Sequence, residues 1–182
     1  MSKLLVNELA PKTAGNKIIM PQGGIIQVQY TQFTGFSTPS LAAATDTPLT
    51  DLTVNITPAS TSSVIHLQAH VFCEFSVSAN AYEHVFFFYR DTTKLGQPNV
   101  GSRKGGISMA TRTFESADAN STPNIARYDY FDTPASTSTI TYKCGIFVLS
   151  AETFFINRTV GDVDANYSER GISFISATEI AG

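Results

Sequence analysis

Apolar and polar residues alternate along most of this chain with a period of two, the spacing of a strand that buries one face. In the segment GIIQVQYTQF (24–33), Ile26, Val28 and Tyr30 share one face and Ile25, Gln27 and Gln29 the other. TDLTVNIT (50–57) sets Leu52, Val54 and Ile56 against Thr53 and Asn55. The long run SVIHLQAHVFCEFSV (63–77) puts Ile65, Leu67, Ala69, Val71, Cys73 and Phe75 on one face, and His66, Gln68, His70, Phe72 and Glu74 on the other. Further strands are expected at 84–90, 106–114, 126–132, 138–150, 152–158 and 171–180, separated by clusters of Gly, Pro, Asn and Asp. Apolar spacing of the i, i+3, i+4, i+7 kind is missing, and only SLAAATDT (40–47) could make a turn or two of helix. Nine strands at this spacing predict an all-β fold: an antiparallel β-sandwich, jelly roll or related, over residues 25–182.

Some strands are apolar on both faces. In HVFFFYR (84–90), Phe86 and Phe88 point one way and Val85, Phe87 and Tyr89 the other. One set fills the sandwich; the other needs a second cover, because exposed aromatic patches of that size are rare on monomers. Phe72 raises the same question, as do Phe155 in ETFFINR and Ile175 in ERGISFISATEI. Phe72, Val85, Phe87, Tyr89, Phe155 and Ile175 are therefore expected at a subunit interface. After the aromatic strand, RDTTKLG reads as a hairpin turn ended by Gly96, with Arg90 and Asp91 as a structural or turn-anchoring pair.

Residues 1–24 are set apart. LLVNELAPKTAGNKIIMPQGG holds two short apolar pieces around a Pro-Lys-Thr-Ala-Gly turn and closes on Gly-Gly. It is too short for a core of its own and reads as a docking or trimerisation segment, with Leu4, Leu5, Val6, Leu9, Ile18 and Ile19 as its contact residues. It lacks the apolar core of a signal peptide, so synthesis in a cytoplasm without membrane insertion is expected.

The chain has 182 residues, enough for one core, and only 15% of them are charged. Its net charge of −3 argues against a nucleic-acid partner, which would favour a basic face. Cys73 and Cys144 sit in strand-like runs and read as buried free thiols rather than metal ligands. His66 and His70 share a strand face about 13 Å apart, too far to share an ion within one chain. No nucleophile elbow, P-loop or dinucleotide fingerprint is present, and no paired carboxylates stand out among Asp118, Asp129, Asp132, Asp162 and Asp164, which are expected mostly in loops. GDVDANYSE (161–169) lacks the glycine and closing glutamate of a calcium loop. No enzyme activity, metal or cofactor is expected. Candidate ligand contacts are Arg103 and Lys104 in the glycine-rich GSRKGG loop, which could cradle an anion. Tyr128, Tyr130, Asn166 and Tyr167 suit sugar stacking and hydrogen bonding.

Three blocks carry a family resemblance. They are the N-terminal LLVNELAPKTAGNKIIMPQGG, VFFFYRDTTKLG followed by GSRKGGISM, and YFDTPASTSTITYKCGIFVLSAETFFINRT with the closing ERGISFISATEI. Together they resemble the tail-fibre and other fibrous virion proteins of bacteriophages, of the kind abundant in marine cyanophages. The resemblance implies a homotrimer with heads similar to those of tumour necrosis factor and complement C1q, and no catalysis. Its partners would be its own copies, other virion proteins docked through residues 1–24, and a host-surface glycan. A capsid-decorating (cement) protein and a free carbohydrate-binding module are the alternatives. A glycan depolymerase would need a carboxylate pair on a groove.

Overall fold

The structure, a computed structural model, describes residues 22–76, 84–109 and 120–182. Eleven strand elements follow one another without a helix among the described residues. They are β1 (Ile25–Phe33), β2 (Ser40–Leu41), β3 (Thr45–Ile56), β4 (Val64–Phe75), β5 (His84–Arg90), β6 (Thr93–Leu95), β7 (Ser108–Met109), β8 (Asn124–Asp132), β9 (Ile140–Val148), β10 (Glu152–Ile156) and β11 (Ser173–Ile180).

They form two antiparallel sheets, and the chain is an all-β sandwich as its alternation predicts. The first sheet runs β1–β11–β4–β8. β10 pairs with the end of β4 beyond β11, along the same edge, and β2 flanks β10. The second sheet runs β3–β9–β5, and the far edge of β5 pairs with β6 and then β7. The expected helical turn at 40–47 is instead β2, a turn through Ala44 at φ +53°, and the start of β3. Pairing of Thr45–Leu49 with β9 satisfies backbone groups that a lone helical turn would leave open. Of the strand expected at 106–114, only β7 falls within the described residues.

The core lies between the sheets. Ile65, Leu67, Ala69, Val71, Cys73 and Phe75 of β4 pack against Phe86 and Phe88 of β5 and Tyr142, Cys144 and Ile146 of β9. Both cysteines are free and fully buried. Burial pushes the Cys144 thiol up to about 12, and burial with the nearby Glu74 carboxylate pushes Cys73 higher still.

β5 is tied to the opposite sheet at both ends. His84 Nε2 and Glu152 Oε1 of β10 lie 2.6 Å apart, both buried, with the Phe75 ring stacked on the imidazole. At the other end Arg90 donates to both carboxylate oxygens of Asp132 on β8, at 2.9 and 3.2 Å, and the Tyr142 hydroxyl donates to Asp132 at 2.6 Å. Arg90 and Asp91 do not pair with each other; Arg90 serves the structural role through Asp132, and Asp91 anchors the turn. Asp91 adopts φ +53° in the hairpin and accepts from the Thr141 amide.

The second face of β5 is covered by its own chain. Val85, Phe87 and Phe147 form a small second core with Tyr89 and Ile107. The Lys94 ammonium sits 4.0 Å above the Phe87 ring and Lys104 4.2 Å above Phe147. Close approach of the loop depends on Gly106, where a Cβ would lie 2.3 Å from Val85 Cγ1. The Phe87 ring lies over Gly145 of β9, where a Cβ would come within 2.5 Å of it.

Candidate functional site

The first sheet has an outer face that the rest of the described chain leaves largely open. On β1 the apolar side of the alternation points outward. Val28 is 52% exposed and Tyr30 71%, with Ile26 beside them, and Ile25 is exposed at the start of the strand, beside a register shift. Inward, Gln27 donates to Glu179 Oε2 and the Thr31 hydroxyl to the Thr53 carbonyl, while Phe33 packs on the core. Among the described strands β1 pairs only with β11, so it is an edge strand with an apolar outer face. Natural proteins blunt or cover such edges.

Toward β8 the same face turns polar. The register sets His66 opposite Phe131, Gln68 opposite Asp129 and His70 opposite Arg127 across β4 and β8, and Phe174 of β11 opposite His70. The two imidazoles stack on aromatic rings, His66 on Phe131 with centroids 4.2 Å apart and His70 on Phe174 at 5.7 Å. Arg127 Nε donates to His70 Nδ1 at 2.9 Å, and His66 Nε2 lies 3.3 Å from Asp129 Oδ2. Partial burial and then the Arg127 charge hold the His70 pKa below its ordinary value. Between these pairs is a shallow depression of about 440 Å³, lined by Gln68, His70, Arg127, Asp129 and Phe174. Asp129 and Asp132 are both β8 residues, within the strand expected at 126–132.

The predicted interface residues separate into two groups. Val85 and Phe87 are buried under their own chain and Ile175 faces the sandwich core, so these three do not sit on an open surface. Phe72, Tyr89 and Phe155 are half-buried. Phe72 lies against Gly171, Tyr89 meets Phe87 edge-on at 5.2 Å, and the Arg158 guanidinium covers the Phe155 ring at 5.0 Å.

The predicted ligand residues do not converge. Tyr128 is a core residue, its hydroxyl 3.5 Å from the Phe87 carbonyl oxygen, and burial raises its pKa well above the ordinary value. Tyr130 is half-buried and shares a depression with Gly96, Gln97, Gly106 and Ile107. Lys104 is engaged with Phe147, and Arg103 is exposed in the turn closed by the Val100–Arg103 bridge. Asn166 and Tyr167 are exposed in the 161–169 loop, where Arg158 and Arg170 both engage Asp162. No cluster of metal ligands occurs among the described residues. Leu4, Leu5, Val6, Leu9, Ile18 and Ile19 lie outside the described residues.

Gln68, Arg127, Asp129, Phe174, Val28 and Tyr30 were not among the predicted site residues. Alternation alone groups them by face, and it does not tell which face of a two-sided strand looks outward. Neither a scan of protein-family models nor a search of curated proteins finds a match to this chain.

Proposed function

We propose that this protein is a non-enzymatic structural component of a bacteriophage virion, working as a homotrimer of β-sandwich heads. Residues 1–24 dock it to other virion proteins, and the head faces the host surface and its glycans. The virion setting rests on the resemblance of the sequence blocks. The assembly rests on one observation: the edge strand β1 presents Ile26, Val28 and Tyr30 outward. An apolar edge strand is a template for association, and closed packing of identical copies is the economical way to cover it without open-ended growth.

Light scattering on the purified full chain tests the reading. The expected mass is three times the 19.6 kDa of one chain. Val28→Lys with Tyr30→Lys, both on exposed positions, is expected to bring the mass down to that of one chain while the sandwich stays folded. A wild-type protein that runs as a stable monomer at high concentration would sink the trimer and move the reading toward a free binding module.

A further inference from the structure

We infer that the depression between β4, β8 and β11 is a binding site for a neutral saccharide. Three planar side chains line it, and each can engage a hydroxyl in a different way. The Arg127 guanidinium only donates, the Asp129 carboxylate only accepts, and the Gln68 amide does both. All three are exposed, and their remaining donors and acceptors point to no other described residue. Arg127 spends Nε on His70, which leaves its two terminal nitrogens without a partner among the described residues, and there Asp129 engages His66 through Oδ2 alone. The Gln68 amide makes no hydrogen bond among the described residues.

The groups that would touch a ligand are held in place before it arrives. Each charged group is fixed by an imidazole, and each imidazole is itself stacked on an aromatic ring. Fixed polar groups lose little freedom on binding. Phe174 adds a partly exposed ring at the rim. A pyranose matches this combination, because its ring carries an apolar C–H face for the phenyl and neighbouring hydroxyls for the planar groups. The volume of about 440 Å³ is in the range of small-molecule sites.

Charge selects among polar ligands. Arg127 and Asp129 stand two residues apart on one face of β8, about 7 Å by the strand rise. Their charges balance, so a sulfate or phosphate meets the carboxylate and a cation meets the guanidinium. An uncharged polyol meets neither penalty. The depression lies on the β8 side of the outer face, and only Phe174 of β11 brings it next to β1.

This inference gives the adsorption reading its residues and rests on that reading for the head's outward position. The test is saturation-transfer NMR on the full chain with glucose, galactose, mannose, N-acetylglucosamine and methyl sulfate, whose methyl protons report sulfate binding, alongside light scattering on the same sample. At least one neutral sugar is expected to receive saturation. Asp129→Asn should weaken it about tenfold or more, the scale of one hydrogen bond to a charged group, and Phe174→Ala should also weaken it, through loss of the ring that faces the sugar's C–H surface. Lys104→Ala in the glycine-rich loop should leave it unchanged. Saturation of none of the sugars, equal binding by the Asp129→Asn and Phe174→Ala proteins, or binding of sulfate alone would each overturn the assignment. A trimer that binds no sugar removes the site and keeps the assembly. A monomer that binds one through Asp129 keeps the site and removes the assembly.

Discussion

Replacing Phe87 by alanine separates two roles for the aromatic strand. Phe87 is fully buried in the small core with Val85 and Phe147, roofed by the Lys94 ammonium at 4.0 Å and met edge-on by Tyr89. Truncating a buried Phe costs about 3–5 kcal/mol through lost transfer energy and the cavity left behind. The cation–π contact adds about 0.5–1 kcal/mol to what is lost. The roof is a loop that can settle into the gap, which favours the lower half of the range. For a chain of this length, 3–5 kcal/mol corresponds to a fall in Tm of about 6–20 °C. Urea unfolding followed by tyrosine fluorescence, with light scattering on the folded protein, measures both effects. The folded Phe87→Ala protein should keep the wild-type mass, because the ring contacts only its own chain. A protein destabilised by less than about 1 kcal/mol, or one that changes mass while each copy remains as stable as before, would refute the reasoning.

Three further outcomes follow from the packing. Glu74 is buried and accepts from the Thr122 amide at 2.6 Å, the Thr122 hydroxyl at 2.8 Å and the Val160 amide at 2.7 Å. Glu74→Ala should cost about 3 kcal/mol or more, at about 1–3 per buried donor deprived of its acceptor, and hydrogen exchange should quicken at Val160. Gly145→Ala places a Cβ 2.5 Å from Phe87 Cε2 and 2.9 Å from Tyr89 Cε2. It should cost about 1–3 kcal/mol by overpacking, and much less in a Phe87→Ala background, as a double-mutant cycle of melts will read. The thiols set an alkaline limit, since the folded Cys144 holds its proton up to about 12 and Cys73 holds its own further, against an ordinary value of 9.0. Their contribution is complete below pH 9 and lost as pH rises above it, because the unfolded thiols ionise first; the slope is about 1.4 kcal/mol per pH unit for each thiol. Urea midpoints between pH 8 and 11 check the loss, and a thiol reagent at pH 8 should label neither cysteine until the protein unfolds.

Much of the fold was legible because β-alternation is local. The strand at 84–90 has the predicted limits, and the faces of the long strand divide as its sequence divides them, with Ile65 to Phe75 inward at every second position. Orientation was harder where both faces are apolar. In β11, Ser173, Ile175, Ala177 and Glu179 point inward and Phe174 outward, a choice fixed by pairing with β4 rather than by hydrophobicity. Glu179 is tolerated inside because the Ala59 amide, the Ser63 hydroxyl and Gln27 all donate to it, and all three partners lie more than a hundred residues away in sequence. The cover over Phe87 is hard to read in the sequence for a related reason. It is made from lysine stems, Ile107 and the space left by two glycines, none of which reads as a core position. The depression on the first sheet combines ordinary residues of three strands, and register alone brings them together.

The charged ties at the two ends of β5 bear on which structure the chain selects. A strand reading Val-Phe-Phe-Phe-Tyr is almost degenerate. Sliding it by one position exchanges aromatic for aromatic on both faces, and sliding it by two restores the original faces nearly unchanged. Hydrophobic burial therefore discriminates poorly between alignments of this strand on β9. His84 and Arg90 break the tie. Any slip would carry one away from Glu152 and the other away from Asp132, stranding charge inside the sandwich. The greasy middle of β5 supplies cohesion without an address, and its two ends supply the address.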